Sequence, residues 1–156
     1  MPGTFAENPE DAGMLFQWNR KKAWNAVDRF VEGFDSSFPE GTKWYAENDP
    51  CPPGWRVPTE DELRSLVRAR GEWTTVNGVN GRTFGTTPNY LFLPAAGFRF
   101  INGVLQNAGR WGYYRSSTAR GRNQAWNLTI GTNHSNLYNR GGSLALGLSV
   151  RCVAID

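Results

Sequence analysis

The strongest local signal in this sequence is the stretch Cys51-Pro52-Pro53-Gly54-Trp55-Arg56-Val57-Pro58-Thr59-Glu60-Asp61-Glu62-Leu63. Thr59 is a favourable helix N-cap, and Glu62, three residues later, completes a capping box. The acids that follow Thr59 lie on the first turn, where the helix dipole favours negative charge. Apolar residues then recur at helical spacing on one face: Leu63, Leu66 and Val67. Gly71 is a typical stop, so the pattern predicts one amphipathic helix whose acids are cap chemistry rather than catalytic groups.

Beyond Gly71 the chain has frequent glycines and short apolar runs, which is typical of short β-strands joined by long polar loops. The runs cover residues 90–93, 97–100, 112–114, 125–130 and 148–153. The Asn102-Gly103 step between apolar residues predicts a hairpin. Residues 118–142 contain too few apolar side chains for a core, so we expect much of this stretch at the surface.

The length and composition indicate one folded domain. A chain of 156 residues has the usual size of a single domain. Aromatic residues make up 13% of it and charged residues only 20%, which favours a globular chain over a disordered one. Residues 1–13 are polar and rich in Gly, Pro and acids, so we expect a flexible lead-in followed by a single domain over 14–156.

The charges are distributed unevenly along the chain. Residues 73–155 contain no Asp or Glu but carry eight arginines: Arg82, Arg99, Arg110, Arg115, Arg120, Arg122, Arg140 and Arg151. This half therefore offers no carboxylate for acid–base catalysis or for calcium. The arginines stand singly among glycines and form no basic run, so we expect no nucleic-acid partner. No apolar stretch approaches the ~18 residues of a membrane span, and residues 1–4 do not resemble a signal peptide.

The residues that most often carry redox, metal or nucleophilic chemistry are few. Cys51 and Cys152 fit no metal-binding spacing and leave three alternatives: a disulfide, two packed thiols or chance. His134 is the only histidine and has no acid in its half of the chain to orient it, which favours a surface role over a catalytic one. We expect neither a cofactor nor a metal.

Four motifs together resemble a known family. They are residues 55–63, residues 93–99, Tyr114 with Ser116-Ser117-Thr118, and residues 147–153. They resemble the major paralogous domain described from Fibrobacter, which is abundant in Bacteroidetes surface proteins and in phage proteins diversified by retroelements. The match runs in order from about Leu15 to Val153. The helix motif is also similar to that of formylglycine-generating enzymes. The resemblance implies an α+β, C-type-lectin-like fold with short antiparallel strands, one or two helices and long loops.

Within that group, the variable proteins of diversity-generating retroelements carry a hypervariable region near the C-terminus, here about residues 111–152. Template adenines, mostly in Asn codons, are copied there with errors that can give Tyr, Ser, His, Arg, Gly or Thr but not Lys or Glu. Residues 112–140 contain neither Lys nor Glu. Arg115 stands where the family usually has Trp, and Leu148 where an aromatic residue is common. The resulting candidate ligand-binding residues are Tyr113, Arg115, Arg120, Arg122, Asn123, Asn127, Asn133, His134, Asn136, Tyr138 and Asn139.

These residue types suit recognition, because Tyr and Arg supply contact area while Asn and Ser adapt their hydrogen bonds. The expected function is a ligand-binding variable protein of a phage virion or a bacterial surface, whose partner is a protein or glycan on a target cell. A rival hypothesis is an adhesin or tip domain of a Bacteroidetes surface assembly without diversification. An enzyme of the formylglycine-generating type would need an active-site cysteine pair, whereas Cys51 and Cys152 fall at that family's structural positions. We therefore expect a binding protein and not an enzyme.

Overall fold

The computed structural model describes residues 3, 5–39, 41–86, 88–138 and 143–156. These residues form short strands, one α-helix and two 3-10 turns, Ala46–Asn48 and Ser143–Ala145. The α+β class predicted from the sequence is confirmed. The elements are β1 Met14–Phe16, β2 Ala23–Asn25, β3 Trp55–Arg56, α1 Glu60–Ala69, β4 Glu72–Val76, β5 Val79–Thr86, β6 Asn89–Pro94, β7 Phe98–Arg99, β8 Leu105–Gln106, β9 Gly112–Ala119, β10 Ala125–Ile130, β11 Ser135–Tyr138, β12 Leu148–Ser149 and β13 Val153–Ala154.

The predicted helix and its capping box are present. The Thr59 hydroxyl accepts a hydrogen bond from the Glu62 backbone N–H (3.3 Å), and the Glu62 carboxylate accepts one from the Thr59 N–H (2.9 Å). The helix stop begins one residue earlier than predicted, because Arg70 already has a φ of 62°. Gly71 follows with a φ of 65°, and a Cβ there would overlap the Thr83 carbonyl oxygen. Glycine is therefore required at Gly71 by both the turn and the approach of β5.

A six-stranded sheet with the order β11-β10-β9-β12-β1-β2 organises the fold. Its neighbours pair antiparallel except β9 and β12, which are parallel. The pairing of β1 with β12 joins the two ends of the domain. Three smaller sheets, β4-β5-β6, β7-β8 and β3-β13, surround it. Gly103, with a φ of 82°, forms the turn of the β7-β8 hairpin, as the Asn-Gly step predicted.

The register of β9, β10 and β11 separates two faces of this sheet. Leu128 lies opposite both Tyr114 and Leu137, and directly opposed residues point to the same side. That side packs against α1 in a core of Leu63, Phe84, Leu93, Tyr114, Leu128, Ile130 and Leu137. Because side chains alternate along a strand, Tyr113, Asn127 and Tyr138 lie on the opposite face.

The expected surface position of residues 118–142 needs correction for β10. Ala125, Leu128 and Ile130 are fully buried, and the polar Asn127 and Thr129 are also buried. A central strand covered on both faces has no solvent side, and a count of apolar residues does not detect this. Within the described part of the stretch, exposure is concentrated in the loop at residues 120–123, in the turn at 132–133 and at Asn136.

The structure resolves the three alternatives for the cysteines. Cys51 and Cys152 form a disulfide with their Cα atoms 5.9 Å apart. The bridge lies in a cluster that contains Trp18, Trp44 and Val57, so it joins the middle of the chain to its end inside an apolar environment.

The N-terminal segment contacts the rest of the domain through several residues, including the Gly3 N–H, which donates to the Pro50 carbonyl oxygen (2.7 Å). The Phe5 ring meets Trp55 edge-on at 5.0 Å, and the Asn77 amide donates to Glu10 (2.7 Å). The division into a flexible lead-in and a domain over 14–156 stays a prediction. In the described residues, no helix is long and apolar enough to cross a membrane.

Candidate functional site

A cleft opens on the sheet face opposite α1, and we name it the Trp111 cleft. Its volume is about 400 Å³, within the range of small-ligand sites. Four strands of the large sheet, β9 to β12, contribute lining residues. The β7-β8 hairpin and the residues that follow it form one wall, and the β10-β11 turn forms another. The lining residues are Phe98, Asn107, Trp111, Tyr113, Asn127, Thr129, His134, Tyr138, Leu146 and Leu148.

Aromatic contacts hold the walls of the cleft in place. Phe98 and Tyr113 meet edge-to-face at 5.1 Å, and the Trp111 and His134 rings lie 5.3 Å apart. The Asn107 amide donates to the Tyr113 hydroxyl (3.0 Å). The Trp111 ring packs so closely over Gly131 that a Cβ at that position would overlap it. Glycine at position 131 therefore sets where the Trp111 ring can lie.

Asn127 and Thr129 are the two buried polar residues among the described lining of the cleft, and Asn127 is the less exposed. Its residue surface is only 5% exposed, and its side-chain oxygen accepts a hydrogen bond from the Thr129 hydroxyl (3.3 Å). Its amide nitrogen has no hydrogen-bond partner among the residues that the structure describes. Asn127 thus presents an N–H donor in a cleft whose other polar groups belong to Asn107, Tyr113, Thr129, His134 and Tyr138.

The chemistry of the lining suits binding of an uncharged group. No Lys, Arg, Asp or Glu is among the described residues that line the cleft. Across the described ranges, no group of three or more His, Cys, Asp or Glu side chains is arranged to hold a metal ion. The side chains of the cleft therefore offer ring faces, aliphatic surface and a few neutral hydrogen-bonding groups.

Four of the candidate residues predicted from the sequence meet in this cleft: Tyr113, Asn127, His134 and Tyr138. Tyr113 comes from β9, Asn127 from β10 and Tyr138 from β11, so sheet pairing brings them together. Asn136 lies on the same sheet face, opposite Thr129, but is exposed on the edge strand and does not line the cleft. Asn133 is exposed in the β10-β11 turn, and Asn139 lies outside the described residues.

Arg115 is the main correction to the predicted site. It is 0% exposed, although it lies on the cleft side of the sheet opposite Asn127. Residues 144–146 and the end of β1 cover it, and its guanidinium donates to the carbonyl oxygens of Phe16 (3.2 Å) and Leu146. Burial lowers the pKa of this guanidinium. A side chain enclosed in this way supports the scaffold and does not contact a ligand directly.

Arg120, Arg122 and Asn123 are also separated from the cleft. All three are exposed on the β9-β10 loop, at the end of the hairpin opposite Tyr113 and Thr129. The Arg120 guanidinium lies 5.5 Å from the centre of the Trp126 ring, a cation–π geometry. These residues form a surface of their own, remote from the Trp111 cleft.

Sequence reasoning missed six residues of the lining: Phe98, Asn107, Trp111, Thr129, Leu146 and Leu148. Alternation along β10 could have found Thr129, which is two residues from Asn127 and therefore on the same face. No local pattern marks Phe98 or Asn107, because they reach the cleft through docking of the β7-β8 hairpin against β9. Comparison with protein-family models, curated proteins and solved structures gave no match to this chain.

Proposed function

We propose that this chain is a ligand-binding variable protein, of a phage virion or a bacterial surface, that recognises a protein or glycan on a target cell through the Trp111 cleft. The observation that carries the proposal is the convergence of Tyr113, Asn127, His134 and Tyr138 in one concave, aromatic surface. Concave aromatic sites with a few placed polar groups are typical of binding sites. The proposal assigns the domain no catalytic role.

The scaffold that we propose for this surface is C-type-lectin-like. Two of the motifs that carry the family resemblance contact each other directly: the Ser117 N–H donates to the Pro58 carbonyl (2.7 Å), and the Glu60 N–H donates to the Thr118 hydroxyl (3.0 Å). The motifs are thus joined as one structural unit, at the start of α1. A rigid support of this kind lowers the ordering cost of binding.

Retroelement diversification is the part of the proposal that codons can test. Sibling copies of the gene are expected to vary at adenine-bearing codons for accessible residues on or beside the cleft, such as Tyr113, His134, Asn136 and Tyr138. Arg115 and Leu128 are expected to stay fixed, because both are fully buried. An even spread of substitutions across residues 111–152 would instead favour the rival adhesin, which has the same fold without diversification.

The disulfide between Cys51 and Cys152 disfavours the enzyme alternative. Cys51 and Cys152, the only cysteines of the chain, are bonded to each other within an apolar cluster. An oxidase of the formylglycine-generating type would need reactive thiols, which this pairing does not supply.

Cell binding tests whether the cleft is the recognition surface. Fluorescently labelled protein is titrated onto a panel of candidate host bacteria and measured by flow cytometry. Tyr138→Ala is expected to weaken binding to a positive strain by tenfold or more, since interface aromatics in clefts commonly dominate affinity. Arg122→Ala is the matched control, because Arg122 is exposed on the distant β9-β10 loop. Loss of binding in Arg122→Ala with retention in Tyr138→Ala would move recognition to that loop.

A further inference from the structure

The hydrogen-bonding groups of the Trp111 cleft restrict what it can bind. Two hydrogen bonds pair four of its polar side chains: Asn107 donates to Tyr113, and Thr129 donates to Asn127. The Asn127 amide nitrogen remains as a donor without a protein partner among the described residues. A ligand that excludes water from this donor without accepting its hydrogen bond loses binding free energy. A ligand that fits the cleft therefore places an acceptor atom against the amide nitrogen.

The charge and the shape of the cleft further restrict the class of ligand that it can bind. The described lining contains no Lys, Arg, Asp or Glu, so a charged ligand group would be desolvated without an ion-pair partner of these types. A hexose carries hydroxyl groups around its whole ring, and to bind them the pairs Asn107–Tyr113 and Thr129–Asn127 would have to share or give up their existing hydrogen bonds. The aliphatic Leu146 and Leu148 beside the aromatic rings favour a flat apolar group instead.

The surroundings of the cleft favour a protein partner. Phe98, which lines the cleft, contacts Phe100 at a ring distance of 6.4 Å. Phe100 and the adjacent Ile101 are exposed, so apolar surface continues from the cleft onto the tip of the β7-β8 hairpin. A surface that combines a concave pocket with an apolar shelf suits a side chain together with the chain segment that presents it.

We propose that the Trp111 cleft accepts a tyrosine side chain of a protein partner, with the ring among Trp111, Tyr113 and Tyr138 and the phenol oxygen accepting a hydrogen bond from Asn127. Tyrosine combines an uncharged ring with an oxygen acceptor, whereas phenylalanine has no acceptor and the tryptophan N–H is a donor only. This inference rests on the proposed function and specifies the chemistry of its ligand.

Titrations with single-residue probes test the inference on the intact protein. The probes are N-acetyl-tyrosinamide, N-acetyl-phenylalaninamide, N-acetyl-tryptophanamide and the methyl glycosides of glucose, galactose and mannose. Binding is followed in ¹H–¹⁵N NMR spectra through the Trp111 indole and the Asn127 side-chain amide. We expect the tyrosine probe to bind with a Kd of roughly a millimolar, about three- to tenfold more tightly than the phenylalanine probe.

Asn127→Leu is the matched variant, because leucine is close to asparagine in size and carries no donor. It is expected to remove the preference for tyrosine over phenylalanine while retaining aromatic binding, a change that a general loss of structure would not produce. The wild-type comparison stands by itself if this variant does not fold.

Each other result overturns the inference. Tighter binding of a glycoside at Trp111 would identify a glycan site and leave the proposed function intact. Absence of shifts in the cleft with every probe would reject the tyrosine anchor. The proposed function would be contradicted as well only if the Tyr138→Ala variant retained full binding to cells.

Discussion

Three buried arginines of the second half of the chain hold backbone segments together. Arg82, Arg99 and Arg115 are buried and donate to backbone carbonyl oxygens. Arg82, for example, bonds Arg70 at the end of α1 (2.6 Å) and Gly131 in the β10-β11 turn (3.0 Å). A planar guanidinium with five donors can join several chain segments whose carbonyls have no strand partner. These arginines therefore support the fold through hydrogen bonds to carbonyl oxygens.

Replacing Arg115 by Met tests this role. The change keeps apolar volume but leaves buried carbonyls of Phe16 and Leu146 without their donor. We expect the free energy of unfolding in urea to fall by roughly 2–4 kcal/mol. Arg122→Met, at an exposed position, is expected to change it by about 0.5 kcal/mol or less. Equal effects of the two substitutions would contradict a structural role for Arg115.

Gly131→Ala tests the contact that positions Trp111. A Cβ at this residue would overlap the indole ring, so the ring or the strand end has to move. We expect a loss of about 1–3 kcal/mol in stability, together with a shift of the Trp111 indole signal in NMR spectra. An unchanged indole signal and unchanged stability would show that the ring is not held by this glycine.

At the scale of elements, helix α1 is fixed at its start by charge and hydrogen bonds and along its length by packing. Glu62 bonds the Thr59 N–H and also the Arg56 guanidinium (2.7 Å), so the cap is tied to β3. Leu63 packs beneath the sheet, with Leu66 and Val67 beside it. The helix thus covers one face of the large sheet and leaves the other face for the Trp111 cleft.

The contribution of the Glu62 cap to stability should depend on pH. The hydrogen bond from Arg56, followed by those from Thr59, holds the pKa of Glu62 below its ordinary value. The ionised carboxylate therefore stabilises the fold above the unfolded-state pKa, and this contribution is lost as the pH falls through the lower folded-state pKa. On lowering the pH from about 5.5 to 3, wild type should lose more stability than Glu62→Gln.

Glu47→Gln is the control for that experiment. Glu47 is exposed in the 3-10 turn, and its substitution removes the same formal charge. Its stability should follow the wild-type pH profile in urea titrations. If Glu62→Gln follows the wild-type profile equally well, the cap does not account for the acid sensitivity.

At the scale of the molecule, long-range links hold the two ends and the middle of the chain together. β1 pairs with β12, β3 pairs with β13, and the disulfide joins cysteines separated by 101 residues. Trp18 packs in the same cluster as the disulfide and donates to the Ser116 carbonyl (3.2 Å). The cluster thus connects the disulfide to β9, which carries Tyr113 of the cleft.

Removal of the disulfide should cost stability because it frees a long loop in the unfolded chain. For the Cys51→Ala/Cys152→Ala double variant, the chain-entropy relation gives a loss of up to about 4–5 kcal/mol. Thermal unfolding with and without reductant measures it: wild type should lose stability on reduction, and the double variant should not respond. Equal melting temperatures for oxidised and fully reduced wild type would contradict this role.

The sequence by itself determined the elements that depend on neighbouring residues. The cap at Thr59, the hairpin at Gly103 and the strand at β6 follow from hydrogen bonds and backbone preferences within a few residues. Four residues of the cleft were among the candidates that the family resemblance implied, whereas Arg115, Arg120, Arg122 and Asn123 of the same set lie elsewhere. Even the helix stop was misplaced by only one residue.

Only the tertiary structure decided which of these side chains face solvent. Arg115 and Asn127 are directly opposed on neighbouring strands, yet a loop covers the first and the cleft opens over the second. Phe98 joins the site from a hairpin that is distant in sequence, and the pairing of Cys51 with Cys152 spans most of the domain. Burial depends on what packs above a residue, and contacts between distant segments leave no pattern in the local sequence.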